Sequence, residues 1–356
     1  MLDRDIARQI LELARWAPSG DNTQPWRFEI LSDDHVVVHG FDTRDEVIYD
    51  FRGHPSHMSH GALLETARIA ATRFGLRAHW SRRPGSDRHP IYDIRLLPEA
   101  GLQPDPLAEC ITRRVVQRRP MRSTPLDATQ RQALVDAVGG DYRLVFFESC
   151  RQRLDVARLL WQNAHLRLTC PEAYRVHRDI IEWGVRYSED RIPEQAVGVD
   201  PVTARLMRWV MQRWERVEFF NRYLLGTVAP RVQLDLIPAL ACAGHVLMMA
   251  RGELESVDDF ARAGAALQRL WLTATAQGLH LQPQMTPVIF RWYARSGERI
   301  SERAAIDAGA ARLATRFERL AGVGADARIA FFCRVGVCAE PDSRSTRRPL
   351  HELMHG

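Results

Sequence analysis

The chain contains no lysine: all 49 of its basic residues are arginines, and against 44 acidic residues they leave a formal charge of only +5. A nucleic-acid-binding chain concentrates such an excess on one face or in a tail. Here the densest cluster, ITRRVVQRRPMR, is short. Forked guanidinium groups grip phosphate oxygens in pairs, so the cluster suits the phosphate of one small molecule better than a polynucleotide, with a solvated basic surface as the competing reading. No apolar run reaches eighteen residues, and the opening MLDRDIARQI is charged where a leader peptide would be apolar. Membrane insertion and export are therefore not expected, and a cytoplasmic location is. The six cysteines form no C-x-x-C pair, which predicts reduced, buried thiols in place of disulfides or a zinc site. No G-x-S-x-G or H-E-x-x-H occurs. In HPSHMSH the three histidines His54, His57 and His60 are spaced by three, but Pro55 argues against a helix there, and metal binding is not expected.

What is present is enough apolar material, 46% of 356 residues, for one large domain or two of ordinary size. Apolar positions at Ile6, Ile10, Leu11, Leu13 and Ala14 predict an amphipathic helix over 4–16, closed by Pro18. Phe28–Leu31, Val36–His39 and Ile91–Leu97 read as strands, and SHGALLETARIAATRFGL as a helix between the last two. That helix returns. At an offset of 203 residues GALLETARIAATRFGL and GAALQRLWLTATAQGL agree at Gly61/Gly264, Ala62/Ala265, Leu64/Leu267, Ala71/Ala274, Thr72/Thr275, Gly75/Gly278 and Leu76/Leu279. An ungapped match of this kind predicts two copies of one helix–turn–strand unit, each helix stopped by a left-handed glycine.

The copies differ reciprocally. The first half alone has the turn-rich loop WAPSGDNTQPW, and the second half alone has RRVVQRRPMRSTPL. Residues 151–235 interrupt the second copy with amphipathic helical patterns, including a long one, VTARLMRWVMQRWERVEFFNRYLL, whose aromatic stripe reads as core or as a lid over a pocket. In the loop, prolines fix the backbone, Gly20 permits close approach, Ser19, Asn22 and Gln24 supply short donors and acceptors, and Trp26 anchors the exit. Such a loop suits a planar ligand with polar edges; an ordinary capped connector is the alternative.

The loop resembles the flavin-binding A-P-S-x-x-N-x-Q-P-W segment of the nitroreductase-like FMN flavoproteins, matched at Ala17, Pro18, Ser19, Asn22, Gln24, Pro25 and Trp26. The arginine-rich segment of that family is similar to RRPMRSTPL at Arg118, Arg119, Arg122 and Pro125; its Gly-Leu helix ending to Gly278, Leu279 and Pro283; and its closing segment to Arg334, Gly336, Arg347, Arg348 and Pro349. In the family an obligate homodimer builds each flavin site across its interface, and the arginine segment precedes the A-P-S loop, whereas here it follows. The resemblance therefore implies a tandem, fused pseudo-dimer retaining one of two sites, with a first half over 1–105, a second over 106–356 and an inserted helical lid over 151–235. It implies an α+β fold: a tandem nitroreductase-like arrangement of two mixed, mostly antiparallel sheets with helices around a central helix pair.

It further implies FMN held at its ring by Pro18, Ser19, Gly20, Asn22 and Gln24. The phosphate falls to Arg118, Arg119, Arg122, Arg347 and Arg348, and N5 to a backbone N–H after Pro283, at Gln284, Met285 or Thr286. Removal of Arg119 and Arg348 together is expected to release the flavin. The implied activity is a ping-pong oxidoreductase of nitroreductase type, taking hydride from NADH or NADPH and passing it through flavin N5 to an electron-poor acceptor such as a nitroaromatic or quinone. The alternatives are a flavin-sequestering or redox-sensing protein with its flavin face closed by the insert, and an oxidative tailoring enzyme. No catalytic side chain, nucleic acid, membrane or metal partner is implied, and the fused chain is expected to be a monomer.

Overall fold

The computed structural model describes residues 4–355, which form an α+β fold of two halves packed through a pair of central helices. The first half runs α1 (Arg4–Ala14), β1 (Trp26–Ser32), β2 (His35–Gly40), α2 (His54–Thr72), β3 (Leu76–Arg82) and β4 (Ile91–Pro98). The second begins with α3 (Ala128–Ala137) and β5 (Tyr142–Phe147). A long excursion follows: α4 (Cys150–Thr169), α5 (Pro171–Ile180), the two-residue strands β6 (Ile181–Glu182), β7 (Tyr187–Ser188) and β8 (Ile192–Pro193), then α6 (Pro201–Val210), α7 (Trp214–Tyr223), α8 (Val228–Arg231) and α9 (Ile237–Leu240). The chain then resumes with β9 (Gly244–Ala250), α10 (Val257–Ala276), β10 (His280–Pro283), α11 (Thr286–Ser296), α12 (Ala304–Ala321), β11 (Ile329–Gly336), β12 (Arg344–Ser345) and α13 (Leu350–Leu353).

The two four-stranded sheets have orders β1-β2-β4-β3 and β10-β11-β9-β5. Read from the other edge, the second is β5-β9-β11-β10, the same order with each strand replaced by its equivalent. All ladder pairings in both are antiparallel. Isolated parallel bridges add Met354 to Phe28 and Val116 to Leu281. Gly75 and Gly278 end the two central helices with φ of 66° and 71°, the left-handed conformation that the repeat predicts.

α2 and α10 cross at glycines. A Cβ added to Gly61 would lie 1.7 Å from the carbonyl oxygen of Ala261, and one added to Gly264 would lie 1.9 Å from that of Met58. Because Met58 and Ala261 are themselves 203 residues apart, these are two images of one contact. The polar flank repeats it: Arg269 bonds Glu65 at 2.8 Å, and Gln268 donates to Thr66 at 2.8 Å. Each half reaches into the core of the other, with Phe51 and Met58 buried in the second core and Leu272 in the first.

Three details depart from the sequence reading. α2 starts at His54 with Pro55 in its first turn, where the missing N–H costs nothing, so the three histidines share one helix. His54 stacks on Phe260 at 3.8 Å, His60 Nε2 donates to the Pro25 carbonyl at 2.8 Å, and burial lowers all three pKa values, that of His54 to about 3. The pattern over 202–225 is two helices, because Arg213 turns extended (φ −143°) between them. Its aromatic residues Trp209, Phe219 and Tyr223 are exposed, neither core nor pocket lining. The six thiols are free, but Cys150 is exposed and Cys338 only partly buried.

Two outcomes follow from the packing. Gly61→Ala or Gly264→Ala forces the central helices apart and costs on the order of 3 kcal/mol or more, whereas Gly85→Ala, with open space around it, changes stability by less than about 0.5 kcal/mol; urea unfolding compares them. Buried neutral histidines make the fold acid-sensitive. Below the unfolded pKa of 6.5 the unfolded chain takes up protons that the folded chain refuses until about pH 3 at His54, so stability is full above pH 6.5 and falls as pH drops. His54→Phe, which keeps the ring stack, shallows that slope by roughly 1 kcal/mol per pH unit.

Candidate functional site

A cavity of about 430 Å³ lies between the halves, in the roughly 300–1,000 Å³ range of small-molecule sites. Its floor comes from both central helices: Met58, Ser59 and Ala62 of α2, and Leu267 and Trp271 of α10.

The loop after α1 forms one wall with Pro18, Ser19, Gly20, Asp21 and Asn22. It holds three non-glycine residues in the left-handed region, Asp21 (φ 49°), Asn22 (φ 65°) and Gln24 (φ 50°), a concentration of strain typical of functional segments. The surroundings impose it. Ser19 Oγ accepts from Gln24 N–H at 3.0 Å. Asn22 Nδ2 donates to the carbonyls of Glu189, Thr346 and Arg191 at 3.0, 3.3 and 3.4 Å, and its buried Oδ1 has no partner. Gln24 lies outside the cavity: its Nε2 donates to the carbonyls of Glu189 and Asn22, and its Oε1 accepts from Arg348 N–H at 3.0 Å. The amide groups read from the sequence as ligand donors thus fasten the loop to the insert and the tail, and Pro18, Ser19 and Gly20 supply its ligand-facing surface.

The cationic end is built from arginines that the sequence reading assigned only in part. Arg114, Arg344 and Arg347 all line the cavity, and among the described residues none of them pairs with a carboxylate. Arg114 is buried, lies over the Trp271 ring at 4.5 Å and donates from Nη2 to the Trp16 carbonyl at 2.8 Å. Arg344 donates to the Arg114 carbonyl at 3.2 Å, and Arg347 Nε to the Ala17 carbonyl at 3.1 Å. The Nε groups of Arg114 and Arg344 are buried without acceptors. Burial, aided by mutual repulsion, lowers the pKa of Arg114 and takes that of Arg347 to about 9; burial also lowers Arg344. Three convergent, unneutralised guanidinium groups are a receptor for a dianion.

Arg118 lines the cavity and donates to the Ala196 carbonyl at 3.2 Å. Arg119 and Arg122 are exposed outside it, and Arg348 turns away to Asp190 at 2.9 Å. Arg334, fully buried, organises the segment: its Nη2 donates to the carbonyls of Gln117, Arg118 and Arg119, and its Nε to Gln282 Oε1 at 2.9 Å.

Residues 283–287 form the opposite wall. Gln284 N–H is already bonded to the Phe332 carbonyl at 2.8 Å, leaving Met285 and Thr286, at the opening of α11, as the backbone donors without a helical acceptor. The insert closes the remaining side. Tyr49 Oη and His177 Nε2 share a hydrogen bond at 2.9 Å, the imidazole held neutral by burial with its pKa lowered to about 3. Arg167 meets Asp235 at 3.3 Å on a π-helical turn over 232–236, and burial outweighs the arginines to push the Asp235 carboxyl up to about 6. Burial likewise raises Asp21. Tyr49, His177, Arg167 and Asp235 carry no motif that sequence reading could have seized. Arg114, by contrast, stands inside the quoted arginine run, one short step from the residues chosen.

The cavity thus joins a largely apolar slot to a cluster of unpaired guanidinium groups. A family model described as the nitroreductase family matches residues 1–53 of the chain. A Mycobacterium tuberculosis (strain CDC 1551 / Oshkosh) protein named "Uncharacterized protein MT1398" is 23% identical over 355 residues, covering 97% of this chain and 47% of its own length. "Putative NAD(P)H nitroreductase acg" of the same strain is 35% identical over 86 residues, 24% of this chain and 25% of that protein. The chain thus spans about half or less of these curated relatives. Among solved structures, the FMN-dependent nitroreductase NfnB from Mycobacterium smegmatis in complex with NADPH shares 15% identity at a TM-score of 0.38, covering 70% of this chain and 97% of that one.

The unpaired cations predict an anion response: inorganic phosphate raises the melting temperature above that in chloride of equal ionic strength. Arg114→Met removes most of the rise. A phosphate effect that survives the substitution would place the anion elsewhere.

Proposed function

We propose that this chain is an FMN-dependent oxidoreductase that uses NADH or NADPH, with one flavin site assembled from both halves. The observation that carries the reading is the trio Arg114, Arg344 and Arg347, two buried guanidinium groups and one half-buried, lining a cavity whose surface is largely apolar. FMN fits that chemistry: a phosphate dianion for the arginines, and a ring system for the slot between Pro18–Asn22 and Pro283–Thr286. Bound there, FMN supplies reversible hydride transfer between a reduced nicotinamide and an electron-poor acceptor such as a quinone or nitroaromatic. The residues bind and orient. Arg114, Arg344 and Arg347 hold the phosphate, Trp271 backs Arg114, and the N–H groups of Met285 and Thr286 are the donors offered to a ring edge. Tyr49 and His177 add no charge to the insert side, burial keeping the proton on the tyrosine oxygen and the imidazole neutral.

The matched strand orders and the reciprocal glycine contacts support a tandem origin, with halves over 1–105 and 106–356 and an inserted helical region over 151–235. They also support a monomer in solution, the central helices being already covered, and light scattering tests this. A cytoplasmic location remains our reading of the sequence; among the described residues no helix is long and apolar enough to cross a membrane. A second reading, a flavin-sequestering or redox-sensing protein, draws on the way Ile181, Met207 and Met211 of the insert wall the cavity.

Denatured protein should release a single FMN per chain. Arg114→Ala combined with Arg347→Ala should empty the site, each lost charged hydrogen bond costing on the order of 1.5–3 kcal/mol, whereas Arg119→Ala combined with Arg348→Ala should leave occupancy near that of the wild type. Anaerobic NADH or NADPH bleaches the bound flavin if the oxidoreductase reading holds. Bleaching by dithionite alone favours sequestration, and a chain that ignores FMN contradicts both.

A further inference from the structure

We infer that the outer face of α6 and α7 is a docking surface for an anionic lipid bilayer. Of fourteen large apolar residues exposed among the described residues, nine lie from Val202 to Leu240, so the exposure is concentrated in and just after the second part of the insert. On α6, Val202, Leu206 and Trp209 stand on one side, while Ala204, Met207 and Met211 lie half a turn away; Ala204 is buried and both methionines line the cavity. On α7, Trp214, Glu218 and Asn221 attach the helix to the body. Trp214 packs against Tyr174, Glu218 bonds Arg303 at 2.7 Å, and Asn221 donates to the Leu168 carbonyl at 2.9 Å. Phe219 and Tyr223 project from the opposite side. Aromatic contacts join the two helices into one patch, Trp209 to Phe220 at 6.0 Å and Phe219 to Tyr223 at 5.2 Å, and Leu224 and Leu225 extend it. Its apolar members are between 48% and 73% exposed, far more than packing inside a monomer leaves.

Charge selects the occupant. Arg205, Arg208, Arg213, Arg216 and Arg222 belong to the same two helices and the turn between them, Arg216 and Arg222 lying over patch rings, against Glu215 and Glu218, the latter already engaged by Arg303. Among the described residues none of these five arginines is ion-paired to a carboxylate, and Arg216 lies over the Trp209 ring at 4.4 Å. A second copy on a two-fold axis would set arginine against arginine. Aromatic side chains with arginine heads above them, on the outside of helices lying along a surface, match the interface of an acidic bilayer. Such attachment is peripheral and needs no spanning helix. It would also bring lipid within one helix diameter, roughly 10 Å, of the cavity that α6 walls. The inference is independent of the flavin reading.

Co-sedimentation of the full chain with vesicles tests it. Binding to phosphatidylglycerol–phosphatidylcholine vesicles is expected, with little to phosphatidylcholine alone, and it should weaken in high salt. Arg205→Gln with Arg208→Gln should lower it by roughly fivefold per arginine, and Trp209→Ser with Phe219→Ser should abolish it while circular dichroism and melting stay unchanged. Absence of vesicle binding, or binding unmoved by both variant pairs, would overturn the inference. So would a dimer by light scattering that the apolar pair dissolves.

Discussion

Everything in this protein hangs on two glycines. Where α2 crosses α10, Gly61 and Gly264 let each backbone rest on a carbonyl of the other helix, closer than any side chain permits. That contact sets the spacing of the two halves and carries residues of each into the core of the other. It also fixes the distance between the loop of the first half and the arginines of the second, so the cavity exists at the width it has because the helices touch.

The cavity in turn explains a costly arrangement. Two buried arginines, Arg114 and Arg347, and the half-buried Arg344 line one cavity with no carboxylate paired to them, and desolvation lowers their pKa values. Leaving cations so placed is unfavourable unless a ligand completes them. The strained loop belongs to the same arrangement: carbonyls from the insert and the tail hold the side-chain amides of Asn22 and Gln24, two of its three positive-φ residues. The insert therefore braces the loop as well as closing the cavity.

Much of this was legible in the sequence, for reasons tied to particular residues. The WAPSGDNTQPW loop is written in local chemistry, prolines and short polar side chains whose effect does not depend on distant packing. The offset of 203 residues exposed the central helices because both copies meet the same steric demand at the same glycine. What stayed hidden was tertiary. In a run of arginines nothing local distinguishes Arg114, which turns inward over Trp271, from Arg119, which turns outward. Pro55 was read as a helix breaker, whereas at the first turn it is compatible with one. The stripe over 202–225 has helical spacing but a different environment: Met207 and Met211 line the cavity, Trp214 packs on Tyr174, and Trp209, Phe219 and Tyr223 face solvent. Asn22 and Gln24 were recognised as important, and their partners turned out to be backbone carbonyls 165 and more residues away.

The central claim is that the first half holds the ring of a flavin and the buried arginines of the second hold its phosphate. A crystal structure of the chain soaked with FMN tests it most directly. The account predicts the phosphate among Arg114, Arg344 and Arg347, with the ring between Pro18–Asn22 and Pro283–Thr286. A phosphate seated against Arg119 or Arg348, or a cavity without flavin at saturating FMN, would contradict it.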